Sequence, residues 1–156
     1  MSWEGTLAGI YLSPAAAAGM RAVPEVEAAA GYGLAGDRYA AEAGTWSRPD
    51  RPWGQVTLIE SETVTALARD HDVDVGNGLH RRNLVTAGVP LNHLVGETFL
   101  IDGVLLRGSR LCEPCGHLDE LSGERLSRYL THRGGLNAEI LSGGRIAVGA
   151  RIRPAA

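Results

Sequence analysis

Lysine is absent from the chain: all fifteen basic residues among the 156 are arginines. Without lysine the chain cannot hold pyridoxal phosphate as an internal Schiff base, and a Walker-type phosphate loop would lack its cation. Cysteine is almost as scarce. The two present, Cys112 and Cys115, cannot supply four thiolates to an iron–sulfur cluster. No apolar run approaches the ~18 residues that a membrane-crossing helix needs. The start, MSWEGTLAGIYLSPAAAAGM, has no basic residue before Arg21 and too short an apolar run for a secretory leader. Excess charge is missing as well: a formal −3 and a pI near 5.9 give no general attraction to nucleic acid or to an anionic membrane. What remains is a chain of one-domain size, 44% hydrophobic, with no linker and no internal repeat. The expectation is a single domain over residues 1–156, located in the cytoplasm, where thiols stay reduced.

Short strand signals dominate the pattern. TLAGIYL (Thr6 to Leu12), AVPEVEA (Ala22 to Ala28) and QVTLIE (Gln55 to Glu60) are bounded by glycine or proline and carry β-branched residues. Asp102-Gly103 between two apolar runs predicts a hairpin over Glu97 to Gly108, and Gly143-Gly144 suggests the same arrangement within Asn137 to Ile152. Two helices are expected. One begins near Ser61, with Val64, Leu67 and Ala68 on one face; the other follows Ser122, with Leu126, Tyr129 and Leu130, and is stopped by Gly134-Gly135. Gly31 to Pro52 reads as a long irregular loop, a length usually tied to function. Twenty-one glycines and many short strands together predict a mainly β protein, a closed β-barrel with a few peripheral helices.

The chemistry-bearing stretch is RLCEPCGHL, Arg110 to Leu118. It follows the second strand of the Asp-Gly hairpin, which puts it at the barrel rim. A disulfide, half a zinc site, a redox dithiol, a single working thiolate and a buried apolar pair are all compatible with two cysteines at this spacing. Pro114 stiffens the segment between them. Arg110 and His117 flank the pair, and nearby cations favour the thiolate that acts as nucleophile and metal ligand. Zinc would need two more ligands, and His80, His93, His117 and His132 offer no second paired spacing. A thioredoxin-like dithiol would need a βαβ setting that is missing. Asp37-Arg38, in GLAGDRY, reads alone as a turn with a salt bridge, and Arg81-Arg82, in LHRRNLV, as a basic spot.

Taken in order, GLAGDRY, QVTLIE, RRNLVTAGVPLNHLVGETFLIDGVLLRGSRLCEPCGHL and RGGLNAEILSGGRIAVG resemble the successive blocks of a MOSC domain, the module named after the C-terminal part of molybdenum cofactor sulfurases. The resemblance runs from about Gly5 to Ile152 and is greatest to the small stand-alone bacterial members. It implies a β-barrel with a cysteine at its mouth, serving either as ligand to the molybdenum of a bound molybdopterin cofactor or as a persulfide sulfur carrier. That cysteine falls on Cys115, and Cys112 falls where the family is less strict. The cofactor-facing arginine and asparagine fall on Arg81 and Asn83, with Arg110, Asp37 and Arg38 as further candidates. A soft thiolate suits molybdenum, and arginine forks suit the cofactor's phosphate.

The resemblance also implies functions and partners. The leading expectation is binding of the molybdenum cofactor, with reduction of N-hydroxylated small molecules by electrons from a separate reductase as the reaction it could serve. The alternative is a non-enzymatic carrier holding a persulfide on Cys115, received from a pyridoxal-phosphate-dependent cysteine desulfurase. A third is a zinc-stabilised structural or binding module. The sequence shows no counterpart of the desulfurase part or of the extra N-terminal domain of the amidoxime-reducing relatives, and Ala150 stands where such proteins often have aspartate.

Overall fold

In the computed structural model, residues 2–15, 18–38, 40, 54–114, 119 and 125–155 are described. Among them the strands are β1 (Gly5–Leu12), β2 (Arg21–Ala22), β3 (Glu25–Ala29), β4 (Gly33–Leu34), β5 (Val56–Glu60), β6 (Leu84–Ala87), β7 (Thr98–Ile101), β8 (Val104–Leu111), β9 (Leu136–Ser142), β10 (Gly144–Ala147) and β11 (Arg151–Pro154). The helices are α1 (Ser61–His71) and α2 (Leu126–Tyr129). None of the helices is long and apolar enough to cross a membrane.

Strand order β11-β7-β8-β9-β5-β6-β1 closes on itself through the pairing of β1 with β11, and β2 extends the edge of β1. All neighbours are antiparallel except β5 and β6. The mainly β, closed-barrel expectation therefore holds. Closure removes the unpaired edges that an open sheet of these apolar strands would expose.

Alternation along the strands sorts the side chains. Val56 and Leu58 of β5 join Leu7, Ile10, Leu84, Phe99, Ile101, Leu106, Leu136 and Ile152 in the main core. Ile59, of opposite parity, faces a second cluster with Leu67 of α1 and Leu126 and Leu130 at α2. The run VTLIE is buried almost throughout because helices cover its outer face. Asp119 ties down the start of α2. Its carboxylate accepts the Ser127 hydroxyl at 2.5 Å and the Ser127 amide at 2.8 Å, and these bonds hold its carboxyl below the usual carboxylate range.

The Asp102-Gly103 hairpin forms as expected, with Ile101 opposite Val104 and Asp102 at φ 48°. Gly143-Gly144 is different. The chain does not fold β10 back on β9 as a hairpin; it leaves the barrel, and β10 pairs with β3 in a separate three-stranded sheet. A Cβ on Gly143 would come within 2.5 Å of the Ala28 carbonyl oxygen, so glycine is required there by close approach. Two further expectations are corrected. Ala22 to Ala28 is divided between β2 and β3 around Pro24. On α1, Leu67 is buried and Val64 packs against the second cluster as expected, but Thr63 and Ala66 are buried beside them while Ala68 is exposed. Helix α2 ends before Gly134: His132 takes the left-handed conformation at φ 62°, and Arg133 Nε caps the Tyr129 carbonyl at 2.8 Å. Of the expected Gly31 to Pro52 loop, the first part contains β4 and the turn to Arg38, while 39 and 41–53 lie outside the described residues.

Candidate functional site

The segment His80 to Asn83 enters β6 beside β5, and its four side chains go four ways. Asn83 is fully buried. Its Oδ1 accepts the Thr57 amide at 3.1 Å and the Thr57 hydroxyl at 3.2 Å, and its Nδ2 donates to the Tyr11 carbonyl at 3.1 Å. One amide thus joins β1, β5 and β6 where the strands would otherwise splay. Asn83 offers no exposed surface.

Arg81 has φ 62°, a left-handed conformation that costs an arginine roughly 1–2 kcal/mol. Its amide donates to the Gly78 carbonyl at 3.0 Å. The reversal sends the two adjacent arginines to different neighbours. Arg81 remains half-buried, and its guanidinium donates to the Ala18 carbonyl in the segment after β1. Its own carbonyl accepts Arg38 Nη2 at 3.3 Å.

Arg38 and Asp37 form a buried ion pair, Nη1 to Oδ1 at 3.2 Å, with side chains 5% and 0% exposed. Asp37 Oδ1 also accepts the Ser13 amide at 3.0 Å, and Arg38 Nη1 lies 3.6 Å from Met20 Sδ. A buried pair is tolerable only when its remaining lone pairs and protons are satisfied, and Ser13, Met20 and the Arg81 carbonyl do part of this. Asp37, Arg38 and Arg81 are thus joined through hydrogen bonds, with Ser13, Ala18 and Met20 against them.

Arg82, read from sequence only as part of a basic spot, turns inward. It is 7% exposed and bridges three carbonyls: Nε donates to Gly134 at 2.8 Å, Nη1 to His80 at 3.2 Å and Nη2 to Cys112 at 3.2 Å. Its amide donates to His80 Nδ1 at 2.9 Å. His80 is fully buried, with its ring edge-to-face against Tyr11 at 5.0 Å. Burial, reinforced by the Arg82 charge, pushes its imidazole down to about 3. It is neutral, and because Nδ1 accepts, the proton resides on Nε2. No partner for Nε2 occurs among the described residues.

Cys112 follows β8 directly and is half-buried with a free thiol. Its amide donates to the Gly135 carbonyl at 2.8 Å. Arg110, two residues earlier and opposite Asn137, is exposed. Cys115 and His117 lie outside the described residues. Among the described residues no three His, Cys, Asp or Glu side chains gather as a metal would require. His80, His93 and His132 occupy separate places: the buried turn before β6, the 3-10 turn Leu91–Leu94, and the end of α2.

Arg81 is half-buried before β6, Arg110 is exposed near the end of β8, and the chain leaves β8 through Cys112. Sequence reasoning missed Ser13, Tyr11 and Thr57; it weighed His80 only as a zinc ligand and Arg82 only as part of a basic spot beside Arg81.

The MOSC domain family model matches residues 50–153. Among solved structures, the YuaD protein from Bacillus subtilis superposes with a TM-score of 0.78 at 16% identity over 97% of each chain. YiiM from Geobacillus stearothermophilus gives 0.75 at 13% identity, covering 97% of this chain and 75% of its own, and YiiM from Escherichia coli gives 0.67 at 17%, covering 100% and 70%. At such identities the likeness speaks for the fold alone. Curated protein sequences give no match. With the family match spanning more than half of the sequence, and the barrel closing as in these structures, the chain belongs to the MOSC domain family.

Proposed function

We propose that this chain binds a molybdopterin-type molybdenum cofactor near the group formed by Ser13, Ala18, Met20, Asp37-Arg38, His80 to Asn83 and Cys112, with the Cys115 thiolate as metal ligand. The observation that carries this reading is the split of two adjacent arginines by the left-handed Arg81. Arg82 joins the loop that leads to Cys115, while Arg81 stays half-buried at the edge with Arg38 at its back.

The donor set fits the group. Arg81 and Arg110 are cations for a phosphate-bearing anion, and a thiolate is a soft ligand for molybdenum. The cofactor, when bound, supplies two-electron redox chemistry at the metal. The chain's own residues bind and orient. Arg81 pairs with the anionic end and Arg110 adds charge at the rim. The Asp37–Arg38 pair fixes the Arg81 carbonyl, and Asn83 holds the three strands behind it. The reaction that suits such a site is reduction of an N-hydroxylated small molecule with electrons from a separate reductase.

Arg81→Ala tests the reading. Charge-assisted hydrogen bonds are worth roughly 1.5–3 kcal/mol, so the variant should keep its fold and lose cofactor about tenfold more readily during gel filtration of the loaded protein. Equal retention would remove Arg81 from the site. Absence of cofactor from both proteins under saturating supply, with persulfide found on Cys115, would favour the sulfur-carrier function.

A further inference from the structure

We propose that Arg82 is a positioning residue: its guanidinium, seated by His80, fixes the backbone at Cys112, from which Glu113 and Pro114 lead on in sequence to Cys115. The proposal rests on the assignment of Cys115 to the site and adds to it a part of the chain that acts without touching cofactor or substrate.

Three independent features converge on the Cys112 peptide units. The amide donates to the Gly135 carbonyl at 2.8 Å, and the carbonyl accepts Arg82 Nη2 at 3.2 Å. Against the same carbonyl lies Gly134, where an added Cβ would collide with the Cys112 oxygen and come within 3.0 Å of Pro114 Cδ. Arg82 also holds the Gly134 carbonyl through Nε at 2.8 Å, so one planar fork spans both sides of the junction between β8 and β9. This is work for a guanidinium. Its donors diverge in fixed directions, whereas an ammonium concentrates its charge at one point.

His80 determines which way the fork points. Its Nδ1 accepts the Arg82 amide at 2.9 Å and its carbonyl accepts Nη1 at 3.2 Å, closing a small ring of bonds that turns the side chain inward. Burial keeps His80 neutral and able to accept. The consequence is a loop with a fixed starting point: Glu113 and Pro114 leave from a peptide held on both faces, and proline restricts the residue before it.

The test uses cofactor-free protein. In the wild type, the Cys112 amide should exchange with solvent as slowly as amides of the β8–β9 ladder; fast exchange there would overturn the proposal at once. Arg82→Gln and Arg82→Lys should each speed that exchange at least tenfold and change the ratio of iodoacetamide labelling rates at Cys115 and Cys112 at least threefold, with the β7–β8 amides still protected. A residue that merely supported the fold would lower the melting temperature and leave the ratio alone. If Arg82→Lys restores wild-type exchange and labelling, charge rather than the fork is what matters and the proposal fails. Should the Arg82 variants not fold, Gly134→Ala displaces the Cys112 carbonyl from the other side, and an unchanged labelling ratio there overturns it equally. Wild-type protein that never takes up cofactor, while the ratio responds to Arg82, leaves the positioning role standing and ends the cofactor reading; the reverse pattern ends the positioning role.

Discussion

Thr57 and Asn83 hold one another through both backbone and side chain. The Asn83 amide donates to the Thr57 hydroxyl at 3.0 Å and the Thr57 carbonyl at 3.1 Å, while Asn83 Oδ1 accepts the Thr57 amide and hydroxyl at 3.1 and 3.2 Å. The pair extends the parallel register of β5 and β6, where Leu58 lies opposite Leu84. Parallel strands cannot be joined by a tight turn, and here a side-chain amide reinforces the end of their ladder.

Asn83→Ala should therefore act on stability first. It strips partners from the buried Thr57 amide and hydroxyl and from the Tyr11 carbonyl, and each unsatisfied group costs about 1–3 kcal/mol. Urea unfolding should show a loss of roughly 3 kcal/mol or more. A loss below about 1 kcal/mol would mean that the bonds are not maintained in solution.

Asp37→Ala leaves Arg38 buried without its carboxylate and removes the acceptor for the Ser13 amide. Breaking a buried pair in this way costs about 3–5 kcal/mol. The double variant Asp37→Ala/Arg38→Met should recover much of that loss, because no uncompensated charge remains. If the single and double variants unfold at the same urea concentration, the pair is not coupled as the geometry indicates.

How much of this was legible beforehand follows from the range of the forces involved. The Asp102-Gly103 hairpin was legible because turn chemistry is local. The salt bridge of Asp37-Arg38 was legible because the partners are adjacent, although its burial depends on Ser13 and Arg81, which are distant in sequence. Gly143 misled because its lack of a side chain answers to Ala28, more than a hundred residues earlier. Thr63 was overlooked on α1 because a hydroxyl lowers its hydrophobic rank, yet it is buried. Arg82 is the instructive case. Neighbouring arginines look alike in a sequence, and only the positive φ at Arg81 and the carbonyls of Gly134 and Cys112 separate their tasks.

The buried His80 gives the protein an acid-sensitive element. Its imidazole sits at about 3 when folded, against an ordinary value of 6.5. Between these values the unfolded chain binds the extra proton, so stability rises with pH through this window and is complete above about 6.5. The slope should approach about 1.4 kcal/mol per pH unit. Urea midpoints between pH 5 and 7, above most carboxylate titrations, should show this fall on acidification in the wild type and a flatter profile in His80→Gln. Parallel profiles would show that His80 is protonated in the folded state.

The cofactor reading stands or falls on the inequality of the two cysteines. Protein produced in a molybdenum-competent host should be assayed for metal by elemental analysis and for pterin by fluorescence after oxidation, in the wild type and in Cys112→Ser and Cys115→Ser. A serine hydroxyl is a poor substitute for a soft thiolate. The wild type and Cys112→Ser should each carry molybdenum and pterin in equal amounts, approaching one per chain, while Cys115→Ser carries at most about a tenth as much. Equal molybdenum content in the two serine variants, or none in any of the three proteins, would contradict the assignment of Cys115 as the metal ligand.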